Sequence, residues 1–188
     1  MPGKKIKVLT KTNVQKSGWK WVASIIIFAF VVTMMLGYVS NETIPNVSLT
    51  TAFCLLALFV LIGIIFDMIG IAVASGDEKP FHSMAAHKVR GARQAVWLIR
   101  NAEKVSNFCN DVIGDIAGII SGVTTGVIMA RLASDGDLYA SLLITSIVSA
   151  LTIGGKALSK GFSITNSNQI VYSVGLCLSF LGVARRRR

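Results

Sequence analysis

Asn110, Asp111 and Asp115 stand at the head of an apolar, glycine-studded run from Phe108 to Leu132, so two carboxylates fall inside a segment that reads as a membrane-crossing helix. An Asp at the centre of such a helix costs about 2.5–3.5 kcal/mol on insertion scales, and intramembrane acids usually serve a purpose. Asn107, Asn110, Asp111, Gly114, Asp115 and Gly118 follow at offsets 0, 3, 4, 7, 8 and 11, which predicts side-chain oxygens and bare backbone on one helical face. A further acid, Asp67, lies in Ile-Ile-Phe-Asp-Met-Ile-Gly, deep in another apolar run, with no Lys or Arg near it in either helix. A buried, unpaired Asp tends to protonate unless a cation sits beside it. These carboxylates and amide oxygens, without a usable His or Cys cluster, define a hard-oxygen set that suits Mg2+, Na+ or protons rather than zinc or copper. The competing account of Asp111 and Asp115 places them near the interface, favoured by the helix amino-terminal dipole.

The elements that must position these residues follow from hydropathy and charge. The chain has 188 residues, 53% of them hydrophobic and 15% charged, with a mean hydropathy of +0.64. That is too apolar for a soluble domain of this length and predicts a polytopic membrane protein. The first apolar stretch, Val22 to Tyr38, is longer than a signal-peptide core and is followed by Val-Ser-Asn-Glu, so it reads as a retained span. Lys4, Lys5, Lys7, Lys11, Lys16 and Lys20 precede it without an acid, which predicts a cytoplasmic amino terminus. Spans at about 51–74, 108–132 and 138–154 then alternate outward and inward, and of nineteen basic residues only Arg131 falls on the outer side. The loop 39–49 carries Glu42, and the outer loop after Leu132 carries Asp135 and Asp137.

The remaining segments read as surface helices. Between spans two and three, Met84, Val89, Ala92, Val96, Trp97 and Ile99 recur at near-helical spacing among Lys88, Arg90, Arg93 and Arg100. This predicts an amphipathic helix, either at the membrane surface with Trp97 as anchor or packed on the bundle. The last apolar stretch, Ile170 to Ala184, has about 15 residues, short of the roughly 20 a bilayer needs. Crossing would also place Arg185 to Arg188 outside, so a re-entrant or interfacial helix is expected, with the arginines favouring anionic lipid. His82 and His87, five apart and off one helical face, read as surface histidines. Cys54, Cys109 and Cys177 lie in apolar runs without CxxC or Cys/His spacing, which suggests neither a disulfide framework nor a soft-metal site. Gly114, Gly118, Gly122 and Gly126 recur every four residues, a bare stripe expected to pack a neighbouring helix.

The stretch from Phe66 to Lys160 resembles the transmembrane domain of the CorB/CorC and CNNM magnesium transporters. Phe66-Asp67-Met68-Ile69-Gly70 occupies the place of that family's Phe-Ser-Gly-Ser-Glu-like motif, with Asp67 where the first serine would be. Gly91-Ala92-Arg93 and Leu98-Ile99-Arg100-Asn101-Ala102-Glu103 match the Gly-Ala pair and the Leu-Leu-x-x-Pro-Glu-like stretch around an amphipathic helix. Cys109-Asn110-Asp111 is similar to the Gly-Asn-Asn motif that contributes ion ligands, and Gly155-Lys156-Ala157-Leu158-Ser159 to a Pro-Lys-x-Leu-Ala signature. The chain departs from the family pattern at Gly70, where a glutamate is expected, near Thr152, where another has no equivalent, and at Gly155 in place of proline. It also adds a span before the family core.

The resemblance implies a homodimeric transporter with a cytoplasm-facing cavity, in which Asp67, Asn110 and Asp111 hold Mg2+ as the transported ion and Asp115 lines the cavity or serves a coupling cation such as Na+. More negative ligands than the family's serine and asparagine would hold a divalent cation harder. No CBS regulatory domain is expected in this chain. The fold class expected is all-α: about four transmembrane helices plus amphipathic juxtamembrane and C-terminal re-entrant or interfacial helices. The whole, 1–188, reads as one membrane domain: a basic amino terminus and extra span at 1–50, a core at 51–160, and an interfacial helix with an arginine tail at 161–188. The expected location is a bacterial or archaeal-type plasma membrane, multi-pass, with membrane lipid as a partner. A non-transporting scaffold and a lipid-interacting protein remain alternatives. An enzyme is not expected, for no nucleophile with a base, P-loop or dinucleotide motif occurs, and the net charge of +10 follows membrane topology rather than a nucleic-acid-binding face.

Overall fold

The computed structural model describes residues 19–132 and 138–180; Asp135, Asp137, the lysines before Trp19 and the arginine tail lie outside them. Those described residues are helical and include no strand: α1 (Trp19–Thr43), α2 (Leu49–Ser75), α3 (Lys79–Ala86), α4 (Ala92–Arg100), α5 (Ala102–Asn107), α6 (Gly114–Leu132), α7 (Leu138–Thr165) and α8 (Ser167–Phe180). A π-helical segment, Phe108–Ile113, joins α5 to α6, so Ala102–Leu132 forms one continuous rod. Four helices are long and apolar enough to cross a membrane: Val22–Asn46, Leu49–Ser75, Ala102–Leu132 and Ser141–Thr165. They coincide with the four spans expected from hydropathy. At about 1.5 Å per residue, even the shortest exceeds the roughly 30 Å hydrocarbon layer.

The spans stand in a row. α1 packs on α6, α6 on α2 and α2 on α7, whereas α6 and α7 barely touch. Within lipid, apolar contact gives little preference for protein over tails, so close approach and hydrogen bonds carry helix association. Two such links fasten the outer helices. Ser40 and Thr124, both buried, share a hydrogen bond of 3.0 Å between α1 and α6. Arg131, at the end of α6, donates from Nη1 to the carbonyls of Ile44 and Val47 at 2.9 and 2.8 Å, tying the α1–α2 connection to its own helix. Ser48 caps α2 by accepting from the Thr51 amide at 3.2 Å. Ile44, Ala52, Leu56, Ile128 and Met129 fill the core at this end.

At the opposite end, α3, α4 and α8 cover the terminus of α2. Their shared core is Ala72, Val73, Phe81, Ala95, Leu98 and Val171. The amphipathic stretch is two helices rather than one, because Lys88 and Gly91 both take positive φ, 56° and 82°, and turn the chain between α3 and α4. α4 buries Ala92, Ala95 and Leu98 against its neighbours and leaves Trp97 half exposed. α8 lies across α4 and α2. Gly175 allows this crossing, since a β-carbon there would lie 2.7 Å from the Gly91 carbonyl oxygen and 3.0 Å from the Ala95 amide nitrogen. Asn168 of α8 accepts from the Asp77 amide through Oδ1 at 3.0 Å, securing the segment after α2. Over its described residues, Ser167–Phe180, α8 is not among the candidate spans.

The last long helix runs further than its sequence suggests. The fourth span is expected at about 138–154, yet α7 continues through Gly154 and Gly155 to Thr165. Each interior glycine costs about 1 kcal/mol of helix propensity. Packing offsets that cost at Gly155, which lies so close to α2 that a β-carbon would stand 2.5 Å from Ile64 Cδ1.

Candidate functional site

The site assembles where α2 crosses the π-helical segment and the start of α6. Gly63 and Gly70 are both buried on α2, seven residues apart and therefore on one face. A β-carbon on Gly63 would lie 3.2 Å from Ala117 Cβ and 3.9 Å from the Gly114 carbonyl. One on Gly70 would lie 1.9 Å from Asn110 Oδ1. Asp67 is four residues after Gly63 and three before Gly70, so the same face brings its carboxyl to the level of Asn110 and Gly114. It is half-buried, and makes no hydrogen bond or ion pair within the described residues.

Asn110 is the residue most constrained by this crossing. Its amide nitrogen donates to Ser106 Oγ at 3.3 Å. Its Oδ1, pressed against the bare Gly70, is buried without a hydrogen-bond partner. An amide oxygen left so costs about 1–3 kcal/mol, and an unsatisfied buried acceptor at a helix crossing calls for a donor or a cation. The π-helical segment explains its aim: the Gly114 amide reaches back to the Cys109 carbonyl, five residues earlier, instead of the Asn110 carbonyl four earlier. Wide turns of this kind recur at functional sites.

The other two acids lie elsewhere. Asp111 and Asp115 are exposed, on the side of the rod away from the buried Cys109, Val112, Gly114 and Ile116. One residue is about 100° of a regular helix and five about 140°, so Asp111 and Asp115 stand at the edge of the sector that Asn110 begins, and here that edge is exposed. Asp67 and Asn110 are thus brought to one crossing, and Asp111 and Asp115 flank it from outside. No cluster of three His, Cys, Asp or Glu side chains able to hold a metal occurs among the described residues. Any cation here would rely on one half-buried carboxylate, an amide oxygen and water.

The glycine stripe also divides. Gly114 is buried near α7, whereas β-carbons on Gly118, Gly122 and Gly126 would meet nothing within 4 Å. With Ser121 and Thr125 they face Thr145, Val148, Ser149, Thr152 and Ile153 of α7 across a cavity of about 370 Å³. The packing seam expected of them is not formed among the described residues.

Two features lay outside the sequence reading. One is Lys156 of α7, whose Nζ lies 3.8 Å from where a Gly114 β-carbon would stand, which brings a cation to a crossing that seemed to hold none. Only the packing of Gly155 on Ile64 could have signalled it. The other is a surface network in which Glu78 accepts from Arg100 Nε at 2.5 Å and bonds His82 Nε2 at 2.8 Å. The Arg100 guanidinium, helped by His82 and opposed by desolvation, holds the Glu78 carboxyl below its ordinary value. His82 is therefore used at the surface. Compared with family models, curated proteins and solved structures, the chain finds no match.

Proposed function

We propose that the chain moves a hard cation across a membrane, Mg2+ in the first instance with Na+ as the coupling ion, through the α2–α6 crossing. The observation that carries this reading is Asn110 Oδ1, buried and unpartnered at spanning depth beside the Asp67 carboxyl's turn of α2. An oxygen-only set of few protein ligands suits Mg2+, which keeps several waters and takes one or two carboxylates. Asp111 and Asp115, exposed on the same rod, would raise the local cation concentration at the approach rather than complete the coordination shell. In this reading the protein is a homodimer in a bacterial or archaeal-type plasma membrane, with its amino terminus inside.

Mg2+ and Na+ flux into proteoliposomes tests it, with the wild type beside Asp67→Asn, Asn110→Ala and Asp111→Asn. Asp67→Asn and Asn110→Ala should abolish Mg2+ flux, and Asp111→Asn should reduce it severalfold. Unchanged flux in the first two variants, or none in the wild type under either gradient, refutes transport through this crossing. A scaffold reading has one observation in its favour, the bare Gly118, Gly122 and Gly126 face that no helix among the described residues fills. Under it, an Asp67→Asn and Asp115→Asn double variant keeps full activity.

A further inference from the structure

Three close approaches locate Lys156 within the bundle. Its chain neighbour Gly155 packs on Ile64, one turn before Asp67. Its own Nζ lies 3.8 Å from the Gly114 β-carbon position, and the Gly114 carbonyl faces Gly63, again one turn before Asp67. Lys156 therefore enters from α7 at the level of Gly63 and Gly114, one turn of α2 before Asp67, while Asn110 lies against Gly70, one turn after it. It is half-buried and makes no ion pair among the described residues.

The cavity supplies a second, independent fact. Thr145, Ser149 and Thr152 line it from α7, and Lys156 continues their stripe four residues on. Gly118, Gly122 and Gly126 line it from α6, and Gly114 continues that stripe the other way. Lys156 thus stands at the Asn110 end of the cavity. Helical side chains lean toward the amino terminus of their own helix, which carries the stem of Lys156 over Thr152 at the cavity rim. Inside, Ser121, Thr125 and Thr152 each donate to a carbonyl of their own helix at 2.8 Å, so their hydroxyl oxygens face outward as acceptors.

We infer that Lys156 is the resident counter-cation of the Asp67–Asn110 site: its ammonium, held beside Gly114 one turn from Asp67, balances that carboxylate without bonding to it, and an arriving cation displaces it toward Thr152 and the hydroxyl-lined cavity. This rests on the cation reading above. Two cations cannot share that small volume cheaply, since Coulomb repulsion at a few ångströms is strong in a medium of low dielectric. An unanswered Asp67 at that depth is costly as well. A tethered ammonium resolves both, provided it has acceptors to retreat to, and the cavity's oxygens are such acceptors.

Mg2+ titration of the full chain in lipid nanodiscs, followed by calorimetry, reads the displacement. Lys156→Met, which keeps the stem and removes the charge, should bind Mg2+ about tenfold more tightly or better. Lys156→Arg, which keeps a cation, should stay near the wild type, a rescue that a merely structural stem would not show. Thermal unfolding in metal-free detergent reads the pairing through wild type, Asp67→Asn, Lys156→Met and the double variant. The double variant should lose less than the sum of the two singles. Additive losses, or unchanged Mg2+ affinity in Lys156→Met, overturn the inference. Coupled losses with no Mg2+ binding in either protein refute the cation reading and the displacement, and uphold the Asp67–Lys156 pair.

Discussion

Two helix crossings in this chain use glycine in opposite ways. Where α8 crosses α4, Gly91 and Gly175 bring backbone against backbone, with β-carbon positions 2.7–2.9 Å from atoms of the other segment. Where α6 faces α7, Gly118, Gly122 and Gly126 hold their helices to nothing, and a cavity takes the place of a contact. The first crossing lies over the end of α2 with a filled core of Phe81, Leu98 and Val171. The second lies along the spans, where hydroxyl and glycine positions alternate. A recurrent small residue therefore announces a close approach in one region and a missing one in the other. Spacing alone does not say which.

Substitution should separate the two regions. The largest effect is expected from Gly91→Ala, because its φ of 82° is strained for any β-carbon and that carbon would lie 2.9 Å from Leu176 backbone atoms. We expect a loss of about 2–3 kcal/mol, measured by denaturant or thermal unfolding in detergent. A loss below about 0.5 kcal/mol would mean that the α4–α8 crossing is looser than drawn. Arg131→Met should come next. It removes two charge-assisted bonds to the α1–α2 connection, worth about 1–2 kcal/mol at this exposed position. That loss should appear as earlier fraying of α1, read by protease cleavage near Asn46.

Gly122→Ala should instead leave stability unchanged or raise it by up to about 1 kcal/mol, the helix-propensity difference, since the added methyl meets open space. A marked loss would show that something outside the chain, such as a second copy, occupies the α6–α7 face, and cross-linking across Gly122 would then identify it. The smallest effect belongs to Glu78. Its folded carboxyl is held below the ordinary value, so its contribution is present at pH above the unfolded value and fades as pH falls through the folded one. The melting difference between wild type and Glu78→Gln should shrink as the pH falls below the ordinary carboxylate range. A difference that grows would reverse the sign assigned to the Arg100 contact.

What the sequence disclosed follows from the same contrast. Four spans could be read because each residue's hydropathy counts by itself, and no partner need be known to see that Leu49–Ser75 is long and apolar enough to cross a membrane. Asp67 and Asn110 could be singled out because polar atoms in such runs are conspicuous. Properties that belong to pairs were hidden. The exposure of Asp111 and Asp115 depends on which side of the rod α2 covers, and spacing alone does not give that. The fourth span reads as ending at 154 because apolar residues give way to Lys156 there, whereas the contact of Gly155 with Ile64, some ninety residues away in the chain, belongs to a helix that runs on. Lys156 was hidden for the same reason, reaching Gly114 only once α7 lies against α2. The break between α3 and α4 needed backbone angles at Lys88 and Gly91 that side-chain periodicity does not register.

The π-helical turn has a consequence for which changes of length this chain can absorb. An extra residue inside a regular helix turns everything beyond it by about 100°, unless a wide turn absorbs it. Deleting one residue from Phe108–Ile113 would remove that extra residue, restore the ordinary period and leave Gly114–Leu132 in its present phase, whereas deleting one between Gly114 and Ile120 would rotate all that follows about the rod axis. Thr124 would then leave Ser40 of α1, and Gly122 and Gly126 would swing away from the cavity that faces α7. The rod can therefore lose a residue at its wide turn, but beyond it a single residue sets the angular phase of half the bundle.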